Sequence, residues 1–292
     1  MLNVSKIAFP GLGIGEFEID SVAFTIFGLD IAWYAILITF GMIMAVIACT
    51  WRSKLSGITF DDVLDITLFT IPFGVIGARL YYVLTSLEYY HSFADVINIR
   101  GGGLAIYGGI IAGGITVLVA CFVKKIDFLA FADATYPAVV LAQAIGRWGN
   151  FTNGEAYGRQ TDWFCRMRLS NLHVLSDFGV QVAEVHPTFL YESLWNFAGF
   201  ALAQIFYKKK QYDGQIFLFL AGWYGFGRFF IEGLRTDSLY IHPFGLDLRI
   251  SQVLGMAIFL VSAAFLIFFA IRKPRKPLFY KIPKKQNSNE KK

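Results

Sequence analysis

The chain has 292 residues, of which 56% are hydrophobic and only 16% charged, and its formal net charge is +5. A water-soluble domain of this length could not bury so much apolar surface, so the composition excludes the soluble globular class. We therefore predict an all-α polytopic integral membrane protein that is surrounded by the lipid bilayer and has no nucleic-acid partner.

Apolar runs long enough to cross a bilayer, which takes about 20 residues, recur along the chain. Seven spans are predicted, at about 31–51, 63–84, 104–123, 127–146, 187–207, 214–233 and 250–271. Before the first span, the segment Phe17 to Phe27 alternates between polar and apolar residues, which predicts a short extended element on the membrane surface. Two connections, 85–103 and 147–186, are longer than turns, and we expect them to form a small head outside the membrane.

The basic residues are divided unevenly between the two sides of the predicted membrane. Sixteen of the 26 Lys and Arg residues fall on one side: Arg52, Lys54, Lys124, Lys125, Lys208, Lys209, Lys210 and nine residues from Arg272 to Lys292. Because basic loops stay in the cytoplasm, this side is predicted to be cytoplasmic. Residues 1–271 then form a seven-span domain with the N-terminus outside, and 272–292 form a basic cytoplasmic tail.

The ten basic residues that remain are almost all arginine. They are Lys6, Arg79, Arg100, Arg147, Arg159, Arg166, Arg168, Arg228, Arg235 and Arg249. Topology requires only positive charge, whereas arginine is suited to a two-pronged grip on phosphate or carboxylate. Arginines on the side where positive charge is disfavoured therefore indicate an anionic lipid headgroup, reached from the outer leaflet.

A polar cluster follows the fourth span directly. Arg147, Asn150, Asn153 and Glu155 are predicted to lie in a short turn that contains glycine. Polar groups next to hydrocarbon are costly unless they are paired, which makes this turn a candidate functional site. Arg147 would hold a phosphodiester, the amides would orient a polyol, and Glu155 would orient Arg147 or accept a proton. The alternative is an exit loop whose arginine only extends to the membrane interface.

A second pair of charges lies near the end of the sixth span. Arg228 and Glu232 are four residues apart, so on a helix they share one face. Arg228 would then be a second phosphate ligand, held in place by Glu232. The alternative is a structural ion pair that involves no other group.

Two tyrosines complete the candidates. Tyr107 follows a glycine-rich segment and opens the third span with Gly108 and Gly109. Its phenol could hydrogen-bond a leaving phosphate or a thiol, although a phenol of pKa ~10 is a poor base at neutral pH. Close helix packing explains the glycines equally well. Tyr34 stands at the outer start of the first span, where aromatic residues are common without function.

These residues together resemble a known family. The segment from Gly146 to Glu155, followed by Gly158, is similar to the signature segment of the bacterial prolipoprotein diacylglyceryl transferases. Further matching motifs stand in that family's order, from about residue 20 to 270: Trp33-Tyr34, Gly102-Gly103-Leu104, His186-Pro187, Leu190-Tyr191-Glu192, Arg228, Glu232 and Arg235.

The resemblance implies a multi-pass enzyme of the bacterial cytoplasmic (inner) membrane that acts at the outer leaflet. Such a transferase moves the diacylglyceryl group of phosphatidylglycerol to the lipobox cysteine thiol of a prolipoprotein signal peptide. A thioether forms and glycerol phosphate leaves, which is the first step of lipoprotein maturation. Our predicted catalytic set is Arg147, Arg228, Glu155 and Tyr107. The predicted phosphatidylglycerol-binding set is Arg147, Asn150, Asn153, Tyr34, Arg228 and Glu232.

The chain departs from this family at Tyr107, where many members carry histidine. Either Tyr107 substitutes as the base, another group acts, or no dedicated base is required. A cysteine of pKa ~8.5 is already a few per cent thiolate near neutrality. Because the chain has no aspartate-rich metal motif, we predict no metal or other cofactor. The alternative function, a small-solute or lipid transporter, predicts charges near the middle of the membrane and paired repeats.

Overall fold

The computed structural model describes residues 4–90, 92–99, 102–241 and 247–272. Arg100 and the predicted basic tail after Arg272 lie outside the described residues. The described residues form two compact units. One contains residues up to 45 and those from 136 onwards, and the other contains residues 46–135. Of the predicted head segments, 147–186 belongs to the first unit and 85–103 to the second.

The described residues contain nine α-helices, and seven of them are long. The helices are α1 (Trp33–Ser53), α2 (Phe60–Thr85), α3 (Phe93–Ile97), α4 (Ile106–Val123), α5 (Phe128–Asn153), α6 (Leu172–Phe178), α7 (Thr188–Phe206), α8 (Gln215–Glu232) and α9 (Ile250–Ile271). Each of the seven long helices coincides with a predicted span. Five of them, α1, α2, α4, α5 and α9, are long and apolar enough to cross a membrane. The chain is therefore a mostly helical integral membrane protein.

Helices α7 and α8 are as long as a span, but neither contains an 18-residue stretch as apolar as those of the other five, because both carry polar side chains. Glu192, Ser193 and Asn196 lie on α7, and all three are buried. Arg228 and Glu232 lie on the last two turns of α8. Three of these residues, Glu192, Arg228 and Glu232, belong to the candidate site.

The fourth long helix corrects one prediction. The sequence placed Arg147, Asn150 and Asn153 in a turn after residue 146, but α5 continues to Asn153, so all three lie on a helix. Glycine inside a helix costs only about 1 kcal/mol, and α5 tolerates two glycines in this stretch. The helix ends at Gly154, whose φ of 62° is the left-handed conformation that commonly terminates helices.

The all-α prediction also needs correction, because the first unit contains an antiparallel sheet in the order β2-β1-β5-β6. The strands are β1 (Val4–Phe9), β2 (Ile14–Asp20), β3 (Val22–Ile26), β4 (Leu29–Ala32), β5 (Met167–Ser170), β6 (Ala183–Val185), β7 (Tyr240–Ile241) and β8 (Leu248–Arg249). The extended segment predicted at 17–27 corresponds to the second half of β2 and the whole of β3. Strand β1 pairs with β5, and the paired residues Ile7 and Leu169 are fully buried.

Specific contacts join α5, α7 and α8 within the first unit. Trp148 donates a hydrogen bond to Ser193 Oγ (3.1 Å), which in turn donates to the carbonyl of Ala144. Trp195 and Trp223 stack with ring centroids 4.2 Å apart, and each indole N–H donates to the other residue's carbonyl oxygen. Indoles that stack and have satisfied N–H groups fix the relation of these helices closely.

Helices α2 and α4 pack at glycines in the second unit. A Cβ placed on Gly108 would lie 2.3 Å from the carbonyl oxygen of Gly77, a separation that no real pair of these atoms shows. Gly114, on the same helix, has no neighbour within 4 Å of such a Cβ. The glycine at 108 therefore determines how closely the two helices approach.

We predict that Gly108→Ala destabilises the protein, because the helices must separate to admit the methyl group. Overpacking of this kind costs typically 1–3 kcal/mol. Thermal unfolding of the purified protein in detergent measures the effect, and Gly114→Ala is the matched control. The Tm of Gly108→Ala should fall by several degrees while that of Gly114→Ala is unchanged or higher. Equal Tm values for both variants would contradict the close packing.

Candidate active site

Three guanidinium groups meet at the carboxylate of Glu192 in the second turn of α7. Arg147 Nη2 lies 2.6 Å from Glu192 Oε2, and Arg228 Nη1 lies 2.5 Å from Oε1. Arg235 Nη1 is farther away, at 3.5 Å from Oε1. The Glu192 side chain is only 4% exposed. One buried carboxylate therefore joins α5, α8 and the segment that follows α8.

Two of these arginines have further carboxylate partners. Arg228 Nη2 lies 2.5 Å from Glu232 Oε2, as the four-residue spacing predicts for a shared helix face. Arg235 forms a two-pronged pair with Asp237, at 2.8 Å (Nε to Oδ1) and 2.6 Å (Nη2 to Oδ2). The reading of Arg228 and Glu232 as a self-contained ion pair is wrong, because Arg228 also binds Glu192.

The cluster is balanced in formal charge. Its members are three cations and three anions: Arg147, Arg228, Arg235, Glu192, Glu232 and Asp237. Within the described residues, no N–H group points at Glu192 Oε2 or Glu232 Oε2 with hydrogen-bond geometry, although each oxygen is within ion-pair distance of a guanidinium. Two buried acceptor atoms therefore retain unused hydrogen-bonding capacity.

A chain of amide hydrogen bonds links Arg147 to Glu155. Arg147 Nη1 donates to Asn150 Oδ1 at 3.3 Å. The side-chain amides of Asn150 and Asn153 both donate to Glu155 Oε1, each at 3.1 Å. Among the described contacts, Glu155 thus acts on Arg147 through Asn150 rather than directly.

The end of α5 is fixed by the sheet of the first unit. Asn171 Nδ2 donates to the carbonyl of Gly154 at 2.8 Å and to Ser5 Oγ at 3.0 Å. A Cβ on Gly154 would lie 2.3 Å from that amide nitrogen. The N-terminal strand therefore reaches the polar end of α5, which explains why a glycine is required there.

The chain at Gly158 hydrogen-bonds to two segments, the one that leads into α7 and Glu192 and the one that leads to Arg235. Its N–H donates to the carbonyl of His186 (2.9 Å), and the next N–H, of Arg159, donates to the carbonyl of Leu234 (2.7 Å). A Cβ on Gly158 would lie 2.8 Å from the Cβ of His186. The segment after α5 thus passes closely between the start of α7 and the end of α8.

Two tyrosines of the first unit lie near these charges. Tyr34 packs on α5 at Gly149, two residues from Arg147; a Cβ on Gly149 would be 2.6 Å from the Tyr34 ring.

Tyr224 lies one turn before Arg228 on α8. It interacts electrostatically with the charges of four residues of the cluster, namely Arg147, Arg228, Glu192 and Glu232. The sequence predictions include Tyr34 but not Tyr224.

Tyr107 belongs to the second unit, in the first turn of α4. The chain that leads to this turn is held by Arg79, whose side chain donates hydrogen bonds of 2.6–3.0 Å to four carbonyl oxygens, those of Asp95, Val96, Gly102 and Gly103. The N–H of Ala105 then bonds to the carbonyl of Ala78 (3.0 Å). The position of Tyr107 is thereby tied to α2.

Comparison with known proteins identifies the family. Residues 21–268 match the family model described as prolipoprotein diacylglyceryl transferase. The chain belongs to this family. Proteins named phosphatidylglycerol–prolipoprotein diacylglyceryl transferase include one from Clostridioides difficile, 46% identical over 81% of this chain and 90% of the relative. The enzyme numbered 1 from Clostridium perfringens is 44% identical over 89% of this chain and 99% of the relative.

The predicted site residues do not include Glu192, although its sequence position indicates that it needs a partner, since it is a carboxylate one turn into an apolar helix. Spacing along the chain could not name that partner, because Arg147 and Arg228 lie 45 and 36 residues away in sequence. Within the described residues, no three His, Cys, Asp or Glu side chains lie close enough to form a metal site. The lack of a cofactor stays a prediction.

His186 is partly buried and lies two residues before the start of α7. Its Nδ1 lies 3.2 Å from Tyr191 Oη, which is also 3.1 Å from Cys165 Sγ. Burial of the imidazole lowers the pKa of His186 below its ordinary value, and the positive charge of Arg159 lowers it further. The imidazole is therefore neutral at neutral pH.

We expect an NMR titration of the histidine side chains to give His186 a pKa below the ordinary value of about 6.5. The Arg159→Gln variant should raise that pKa only in part, because burial is the larger cause. His186→Gln assigns the signal. A pKa at or above the ordinary value in the unmodified protein would contradict the observed burial.

Proposed function

We propose that this chain transfers the diacylglyceryl group of phosphatidylglycerol to the lipobox cysteine thiol of prolipoproteins. The products are a thioether-linked lipid and glycerol phosphate. The observation that carries the proposal is the convergence of Arg147 and Arg228 on one carboxylate, at 2.6 and 2.5 Å. Two guanidinium groups that share a carboxylate are placed to share a phosphodiester, which presents the same pair of oxygens.

The same proposal includes seven membrane spans, with the N-terminus outside and the C-terminus in the cytoplasm. The end of α5, the start of α7 and the end of α8 meet at Glu192, which requires these three helix ends to share one side. Lys208, Lys209 and Lys210 follow the far end of α7, and Lys124 and Lys125 precede the start of α5, whose other end carries Arg147. By the positive-inside rule, the arginine cluster then faces the outer leaflet of the bacterial cytoplasmic membrane.

The chemistry is a displacement at the glycerol carbon that carries the phosphodiester. The cysteine sulfur attacks this carbon, the carbon–oxygen bond to phosphate breaks, and a second negative charge develops on the departing phosphate. Arg147 and Arg228 already point at the place where that charge grows. Donors held in position in a low-dielectric site stabilise such charge strongly, each worth typically 10²–10³ in rate.

The remaining site residues orient these arginines and the lipid headgroup. Asn150 contacts Arg147 and is itself held by Glu155, while Glu232 holds Arg228 from the other side. Asn153 and Tyr34 extend the polar surface to which the free glycerol of phosphatidylglycerol would bind. A transporter is less well supported, because the described cluster lies on helix ends and the family is named for a transferase.

Replacement of Arg147 tests the phosphate clamp. We expect Arg147→Ala to abolish transfer to a synthetic lipobox peptide, with a loss of at least about 10²-fold, and Arg147→Lys to retain part of the activity. Mass spectrometry of the lipidated peptide, formed from phosphatidylglycerol with and without chelator, measures the product. Arg168→Gln, on the exposed sheet, is the control and should remain active. An active Arg147→Ala enzyme would overturn the clamp.

The pair Arg228 and Glu232 provides a double-mutant test. Glu232→Gln should reduce transfer because Arg228 loses the partner that orients it. The double variant Arg228→Ala/Glu232→Gln should then be no slower than Arg228→Ala alone, since nothing is left to orient. Steady-state rates of all three variants check this expectation. Losses that multiply in the double variant would show that the two side chains act separately.

A further inference from the structure

Glu192 occupies the place that the substrate phosphate requires. Each of its oxygens faces one of the two clamp arginines, Oε2 toward Arg147 and Oε1 toward Arg228. A phosphate that binds the nitrogens now facing Glu192, Arg147 Nη2 and Arg228 Nη1, displaces at least one of these oxygens. The carboxylate of Glu192 then lies immediately beside the bound phosphodiester and its reacting carbon.

Charge balance indicates what happens to the displaced carboxylate. The cluster is neutral as a set of three cations and three anions, so a bound phosphodiester adds one uncompensated negative charge. An unpaired charge in a largely buried site is unfavourable. A proton taken up by the displaced carboxylate removes its charge, and the attacking thiol is the substrate group that must lose a proton. The negative charge passes to the sulfur and, as the carbon–sulfur bond forms, to the departing phosphate, which both arginines hold.

Among the nearby carboxylates, Glu192 is the one freed by substrate binding. Glu155 is already held by two amide hydrogen bonds, from Asn150 and Asn153. Glu232 remains paired with Arg228 Nη2, and Asp237 retains both of its hydrogen bonds from Arg235. Glu192 Oε2 is buried and lies 2.6 Å from Arg147 Nη2, so its displacement from Arg147 frees this oxygen to accept a proton.

We propose that Glu192 is the base that accepts the proton of the lipobox thiol, once the phosphate has displaced it from Arg147 and Arg228. This inference rests on the proposed function. The thiol proton passes to Glu192, the sulfur forms its bond to the glycerol carbon, and the electron pair of the broken carbon–oxygen bond goes to the phosphate. Glu192 then releases its proton to the product phosphate or to water, re-forms its pairs with the two arginines and thereby displaces glycerol phosphate.

The test compares Glu192→Gln with the unmodified enzyme on a lipobox peptide. Loss of a general base lowers kcat typically 10²–10⁴-fold. The KM for phosphatidylglycerol should stay equal or fall, because the variant lacks the internal anion that competes for the arginines. A purely structural Glu192 would give the opposite KM change, since Arg147 and Arg228 would lose their orientation.

A second arm replaces the lipobox cysteine with selenocysteine, whose selenol is ionised at neutral pH and needs no base. Turnover of this peptide by Glu192→Gln should return to within about tenfold of the unmodified enzyme. Arg147→Lys is the matched control, and its loss should be similar with both peptides. Glu192→Asp, which keeps a carboxylate, should retain intermediate activity on the cysteine peptide and confirms a folded site if Glu192→Gln is unstable.

The inference is overturned if Glu192→Gln keeps kcat within about threefold of the unmodified enzyme, or if selenocysteine restores nothing. It is also overturned if Tyr107→Phe, rather than Glu192→Gln, shows the selective rescue. Glu184→Gln, on a carboxylate that also bridges two arginines but lies on the sheet, should behave like the unmodified enzyme. If the unmodified enzyme itself forms no lipidated peptide, the proposed function fails and not this inference alone.

Discussion

The first unit depends on the burial of one carboxylate among three guanidinium groups. A charge moved from water into a protein interior costs several kcal/mol unless it is paired, and Glu192 is 4% exposed. Its pairs with Arg147 and Arg228 offset that cost only while α5, α7 and α8 keep their relative positions. The same pairs therefore stabilise the helix arrangement and leave both arginines aimed at one point. Structure and anion binding are two results of a single interaction.

The surrounding structure serves to keep that point fixed. The sheet of β1, β2, β5 and β6 is linked to the end of α5 by the hydrogen bond from Asn171 to the carbonyl of Gly154. The chain at Gly158 passes between the start of α7 and the end of α8 and hydrogen-bonds to both segments. At both glycines an added Cβ would collide with neighbouring atoms. A short polar segment that looks like a loosely ordered turn in the sequence is in fact held from several directions. Such support is what preorganised charge stabilisation requires.

Local pattern was sufficient to predict some of this. Apolar runs located all seven long helices, and a four-residue spacing placed Arg228 and Glu232 on one face, because both signals arise within one helix. The continuation of α5 to Asn153 was not predictable from its glycines, since glycine normally weakens a helix and the residue that packs against Gly149, Tyr34, lies on another helix. The pairing of β1 with β5 and the meeting of Arg147 with Glu192 join residues far apart in sequence. No periodicity records such contacts.

The central claim is that the arginines exchange an internal carboxylate for the phosphate of the lipid. A structure of the protein with phosphatidylglycerol bound tests it most directly. The phosphate oxygens should lie about 2.7–2.9 Å from guanidinium nitrogens of both Arg147 and Arg228, and Glu192 should have lost at least one of its two close contacts. A phosphate bound elsewhere, with Glu192 still holding both arginines, would contradict the account.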